Sequence, residues 1–213
     1  MGYIGERTIQ GMSVVIGIAG DNFCSFVADG RRVLNTPTDN DPFAYSIESD
    51  TYQKIFRANS RVLIGGTGFF YSTESILAPM TLIDRPDRAS VKVTVQAVKN
   101  YLKQHKNQII SPRNYMVGGK KNDGGFCLYK ISFDPTIKKI TTEEWNPSNK
   151  QYAIAIALPQ SLIGQEQHYI DQVYESIQNR NHDRLIRDAT SLIKEIADID
   201  DTVGKNVLDL TIT

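Results

Sequence analysis

The sequence predicts an α+β fold of four layers, an α/β/β/α sandwich in which two stacked sheets are covered by helices. Three observations carry this expectation. Strand-like runs come in groups, over residues 13–28 with 53–64, and again over 115–158; two helical stretches follow each group; and one last strand-like run closes the chain. Sheets of this kind have two apolar faces, and stacking them face to face under outer helices covers most of that surface.

The first element is a hairpin. Ser13 to Ala19 is rich in β-branched residues, Gly20-Asp21-Asn22 supplies turn chemistry, and Phe23 to Ala28 is a second apolar run. The second strand delivers Asp29, Gly30 and Arg31 beside the start of the first, which collects a carboxylate and a guanidinium near Ser13. Residues 1–12, with Gly2, Gly5 and Gly11, show no periodicity and read as a short leader; residues 13–213 read as one domain.

Arg32 to Asp50 reads as a long polar connection, and connections of that length are usually functional or mobile. Gln53–Ala58 and Arg61–Ile64 form a second hairpin around Asn59-Ser60. Gly65-Gly66-Thr67-Gly68 reads as a turn into a helix over Phe69–Leu82, which Pro79 kinks or ends early. A helix over Val91–Ile109 carries Val91, Val95, Val98, Leu102 and Ile109 on one stripe. Tyr115–Val117 is a short strand ended by Gly118-Gly119, and Lys120–Gly125 a hairpin turn. Phe126–Phe133, Lys139–Trp145 and Tyr152–Leu158 are strands, the last stopped by Pro159. Helices over Leu162–Gln178 and Asp183–Ala197 precede the closing strand Val207–Thr213.

Composition narrows the function. The chain has 213 residues, 40% hydrophobic and 23% charged, as in an ordinary globular protein. Its 24 basic and 24 acidic side chains cancel, so there is no electrostatic footprint for nucleic acid or an anionic membrane. The apolar run Met12–Gly20 is too short to span a bilayer, and the expected location is the cytoplasm. Cys24 and Cys127 sit in apolar runs and read as buried thiols. No histidine has metal-ligand spacing to another or to cysteine. Gly66-Thr67-Gly68 opens no dinucleotide fingerprint, because Tyr71 stands at the third glycine position, and there is no phosphate-binding loop. Neither a metal nor a cofactor is expected, and no Ser-His-Asp triad is nominated.

Ser13-Val14-Val15-Ile16-Gly17-Ile18, Ala28-Asp29, Arg31, Lys54-Ile55 and Gly65-Gly66-Thr67-Gly68, in this order and spacing, resemble a known pattern. It is that of the proteasome β-subunit family of N-terminal-nucleophile (Ntn) hydrolases, which includes the ring peptidase of bacterial ATP-dependent proteases. Val117-Gly118-Gly119 and Val207–Thr213 extend the likeness over nearly all of the chain from residue 13 on. Three features depart from the family. Met12 stands where a glycine usually precedes the nucleophile, Val203 stands where a supporting hydroxyl is expected, and the turn Ala157-Leu158-Pro159-Gln160-Ser161 replaces a Ser-Gly-rich one.

The resemblance implies a chemistry. An N-terminal Ser carries a nucleophilic hydroxyl and, in its own α-amine (reference pKa about 7.7–8.0), the base that takes the proton. By resemblance Ser13 is the nucleophile once residues 1–12 are removed, and Lys54 favours the deprotonated amine. Asp29 holds Lys54, Arg31 supports them, the Gly65 amide faces the oxyanion, and Asp200 orients the amine. The implied substrate is a peptide or amide, and the implied assembly a homo-oligomer, a ring in the family, with an ATPase partner in some members. The alternative is an unprocessed, non-catalytic subunit of the same fold, acting as a scaffold or binding protein in an oligomer.

Overall fold

The computed structural model describes residues 13–35, 44–68, 73–147, 152–175 and 182–213. The chain opens with β1 (Val15–Ala19) and β2 (Cys24–Asp29), followed by β3 (Arg32–Asn35) and β4 (Tyr45–Ser49). Next come β5 (Ile55–Asn59), β6 (Val62–Gly68), a short helix α1 (Thr73–Leu77) and the longer α2 (Val91–His105). Strands β7 (Arg113–Lys120), β8 (Phe126–Asp134), β9 (Lys139–Trp145) and β10 (Ala153–Ala157) precede α3 (Glu166–Glu175), α4 (His182–Ile199) and β11 (Val207–Ile212).

The fold is mixed α+β with antiparallel sheets. One sheet has the order β10-β1-β2-β11, a second β5-β6-β7-β8-β9, and among the described residues β3 and β4 form a two-stranded sheet. The side-chain period of two explains why β1 is apolar throughout. Val15 and Ala19 pack with Phe26, Leu63, Met116 and Leu128, so this face meets the second sheet. Ile16 and Ile18 pack instead with Tyr169 and Val173 of α3 and with Leu185, Leu192 and Ile196 of α4. A third cluster joins Val62, Ile64, Tyr115, Val117 and Ile131 to Ile76 of α1 and to Val95, Val98 and Leu102 of α2.

Several elements differ from the expectations. The Arg32–Asp50 connection contains β3 and β4, two short strands on either side of its Pro-rich stretch, tied by an Arg32 Nε–Glu48 Oε2 ion pair at 2.8 Å. Residues 36–43 lie outside the described residues. Gly65–Gly68 is not a turn. It lies inside β6, whose ladder to β7 runs from Val62↔Gly119 to Gly68↔Arg113, with Gly65 also paired to Ile55 of β5, and this pairing overrides the local turn preference of glycine. Gly118 and Gly119 likewise continue β7 and do not end it. Of the helix expected over 69–82, residues 73–77 are α-helical, Ala78–Leu82 is a 3₁₀ helix with Pro79 in its first turn, and residues 69–72 lie outside the described set. Helix α2 stops at His105, whose carbonyl accepts both the Gln108 and Ile109 amides. Gly164, at φ 93°, separates the 3₁₀ helix Gln160–Leu162 from α3, which therefore starts later than expected. Cys24 and Cys127 are free and buried. Among the described residues no helix is long and apolar enough to cross a membrane.

The sheets meet closely at Gly118. A Cβ there would lie 2.7 Å from Cys24 Sγ and 2.8 Å from both Phe26 Cε1 and Leu128 Cδ2. Those side chains are themselves buried in the core between the sheets and have little room to move. Gly118→Ala is expected to lower unfolding free energy by about 1–3 kcal/mol in a urea titration, the usual cost of overpacking.

Candidate active site

The site is built where the first hairpin returns to its start. The Asp29 amide donates to the Val14 carbonyl at 3.3 Å, and Asp29 Oδ1 accepts the Val14 N–H at 2.8 Å, one residue after Ser13. The other oxygen, Oδ2, accepts the Lys54 ammonium at 2.7 Å, the Arg31 N–H at 3.0 Å and the Gly204 N–H at 3.2 Å. Asp29 is completely buried and Lys54 is 3% exposed, so this is an ion pair out of water. A carboxylate is tolerated there because it is matched by a cation and by several N–H donors.

Lys54 comes just before β5, and its carbonyl accepts the Gly66 amide at 3.0 Å. Burial pushes its ammonium below the ordinary lysine value; Asp29 opposes that shift, and the Arg31 guanidinium adds to it. Gly65 faces Ile55 on one side and Met116 on the other. A Cβ at Gly65 would lie 3.4 Å from both the Lys54 carbonyl and Val15 Cγ1, so this residue sits between the start of β1 and Lys54. Ser13, 5% exposed, comes two residues before β1 and directly before Val14, whose N–H donates to Asp29.

Arg31 contributes its backbone to Asp29 but sends its side chain elsewhere. Nε donates to Asp50 Oδ1 at 2.6 Å and Nη1 to the Asp201 carbonyl at 2.6 Å. The Asp50 bond raises the guanidinium further and lowers the Asp50 carboxyl. The chain turns tightly here: a Cβ at Gly204 would lie 2.7 Å from Arg31 Cβ. Only glycine brings the 204 amide onto Asp29 without displacing Arg31.

Asp200 follows α4. Its Oδ1 accepts the Thr202 amide at 3.0 Å and the Thr202 hydroxyl, and its Oδ2 accepts the Ser161 hydroxyl. The hydroxyl sought at position 203 is therefore supplied one residue earlier, while Val203 is buried against the α4 core. The Val203 amide donates to the Asp200 carbonyl at 3.0 Å and Gly204 reaches Asp29, so one turn ties Asp200 to the ion pair. Asp201 accepts from the Tyr45 hydroxyl, which pushes the phenol up to about 12.

Sequence reasoning does not find Asp50, Ser161, Thr202 or Gly204. A Thr two residues after an Asp is a side-chain turn signal that could nominate Thr202. Nothing local marks Asp50 or Ser161, whose partners are 19 and 39 residues away.

A second constellation has relay geometry. Ser25 Oγ lies 3.0 Å from His182 Nε2 and 2.8 Å from Thr211 Oγ1, and His182 Nδ1 lies 3.1 Å from Asp183 Oδ1. Yet Ser25 is 0% exposed near the start of β2, where no substrate carbonyl reaches it. These bonds, with the edge-on Phe23–His182 contact at 4.5 Å, fasten the start of α4 to the sheet.

Among the described residues no group of His, Cys, Asp and Glu is arranged to hold a metal ion. Compared with protein-family models and with curated proteins, the chain matches none.

Replacing Lys54 tests the ion pair. Lys54→Met leaves the Asp29 charge buried without its cation and is expected to cost about 3–5 kcal/mol in a urea titration. The Asp29→Leu, Lys54→Met pair is expected to lose less than the two single changes added together.

Proposed function

We propose that the chain is a proteasome-like Ntn hydrolase with a four-layer α/β/β/α sandwich, cleaving peptide or amide bonds with Ser13 after residues 1–12 are removed. One observation carries the reading: a single buried carboxylate, Asp29, holds both the Lys54 ammonium and the amide next to Ser13. The three clusters of apolar side chains, one between the sheets and one under each pair of helices, support the layered fold.

In this mechanism the Ser13 hydroxyl attacks the substrate carbonyl carbon while the Ser13 α-amine takes its proton. The oxyanion forms opposite the Gly65 amide and near the positive Lys54. Collapse breaks the carbon–nitrogen bond, the amine proton passes to the leaving nitrogen, and water then hydrolyses the serine ester. Asp200, held by Ser161 and Thr202, orients the α-amine. Removal of the leader comes before that amine is free: the Ser13 hydroxyl attacks the Met12 carbonyl carbon, the Met12–Ser13 carbon–nitrogen bond breaks as the nitrogen takes the hydroxyl proton and becomes the α-amine, and water hydrolyses the resulting ester to release residues 1–12. Assembly would be a cytoplasmic homo-oligomeric ring with an ATPase partner.

A second reading, an unprocessed scaffold subunit, is favoured by Met12. Glycine, the usual residue there, eases the strained backbone that self-cleavage needs.

The test is the intact mass of freshly purified protein, before and after incubation at neutral pH. Loss of residues 1–12 is expected in the native chain and absent in Ser13→Ala. A native chain that keeps its full mass and hydrolyses no peptide favours the scaffold.

A further inference from the structure

We propose that Asp50 is a positioning residue for the site: its carboxylate fixes and neutralises the Arg31 guanidinium, which leaves Asp29 to Lys54. The inference rests on the reading of Lys54 as the ammonium that serves Ser13.

The argument starts from competition. Asp29 is one buried carboxylate with two cations attached to its surroundings, Lys54 through Nζ and Arg31 through its backbone amide, both on Oδ2. The charged groups facing Lys54 are Asp29 and Arg31; those facing Arg31 are Asp50, Asp29 and Asp201. A guanidinium without a partner of its own would compete for Asp29, since a planar fork matches a carboxylate better than an ammonium does. Here the fork is occupied, Nε by Asp50 and Nη1 by the Asp201 carbonyl. Arg31 thus has Asp50 as its hydrogen-bonded counterion, with Asp201 nearby, and Lys54 has Asp29.

The position of Asp50 is set by chain path. It stands directly after β4, where the β3–β4 arm returns, and the Tyr52 amide donates to the Gly30 carbonyl at 2.7 Å. The Arg31–Asp50 bond and the Gly30–Tyr52 bond thus close the base of the arm shortly before Lys54. Without the Asp50 charge, more of the guanidinium field reaches Lys54 and opposes its proton, with Asp201 left as the other carboxylate facing Arg31. Burial already pushes that ammonium down, so the loss acts in the same direction.

The test reads Lys54 itself in the full chain, by NMR titration of its side-chain nitrogen, assigned with Lys54→Arg. Asp50→Asn is expected to lower the Lys54 midpoint by about half to one pH unit, a roughly three- to tenfold loss of proton affinity. Arg31→Gln is expected to raise it, and in that background Asp50→Asn is expected to have almost no further effect. An unmoved midpoint in folded Asp50→Asn, or a shift that persists without Arg31, overturns the proposal. Should Asp50→Asn not fold, Arg31→Gln alone decides, because an unmoved or lowered midpoint there also overturns it. Peptide hydrolysis followed on the same samples separates the two ideas: a chain that cleaves nothing contradicts the hydrolase reading, while the titration still reports on Asp50.

Discussion

The structure depends on one buried carboxylate. Asp29 ends β2, yet its two oxygens fasten four separate parts of the chain: the head of β1, the tight turn at Arg31, Lys54 before β5, and Gly204 before β11. Each of the two large sheets contributes to this junction, so the ion pair holds them together at one end. Its charge is what makes it demanding. A neutral group would need fewer partners, whereas a buried anion needs a cation and several N–H donors, and the surrounding backbone is shaped to deliver them. Asp200 belongs to the same arrangement at one remove, since its turn carries the Gly204 amide to Asp29.

The β3–β4 arm gives the site a second character. It separates Asp29 from Lys54 in sequence by 25 residues, and the chain must leave the ion pair and return to it. Closure at the base of the arm by Arg31 and Asp50, and the bond from Tyr45 to Asp201, make the arm part of the electrostatics of the site. A two-stranded sheet is marginal alone, so these polar anchors take the place of a third strand.

What is legible in the sequence follows from range. The hairpin from Ser13 to Arg31 can be read because its strands are adjacent and its turn is chemically marked, and that reading alone brings Asp29 beside Ser13. Lys54 and Asp200 come through resemblance in order and spacing, and the fold attaches both to the same network. Glycines mislead: Gly65–Gly68 and Gly118-Gly119 have turn composition, but they lie in central strands, and Gly118 sits where the sheets approach closely. Polar partners far apart in sequence, such as Ser161 with Asp200, carry no local pattern, and only the folded chain brings them together. Ser25, His182 and Asp183 show the converse, since a catalytic-looking geometry arises there around a hydroxyl that is fully buried.

The most direct measurement is covalent trapping of the nucleophile. The native chain would be treated with a peptide β-lactone, which acylates activated hydroxyls, and the modified residue located by peptide mapping. The account predicts an ester on Ser13 of a chain that has lost residues 1–12, and no adduct when Lys54 is replaced by methionine. An adduct on Ser25, or a native chain that stays unmodified, would contradict it.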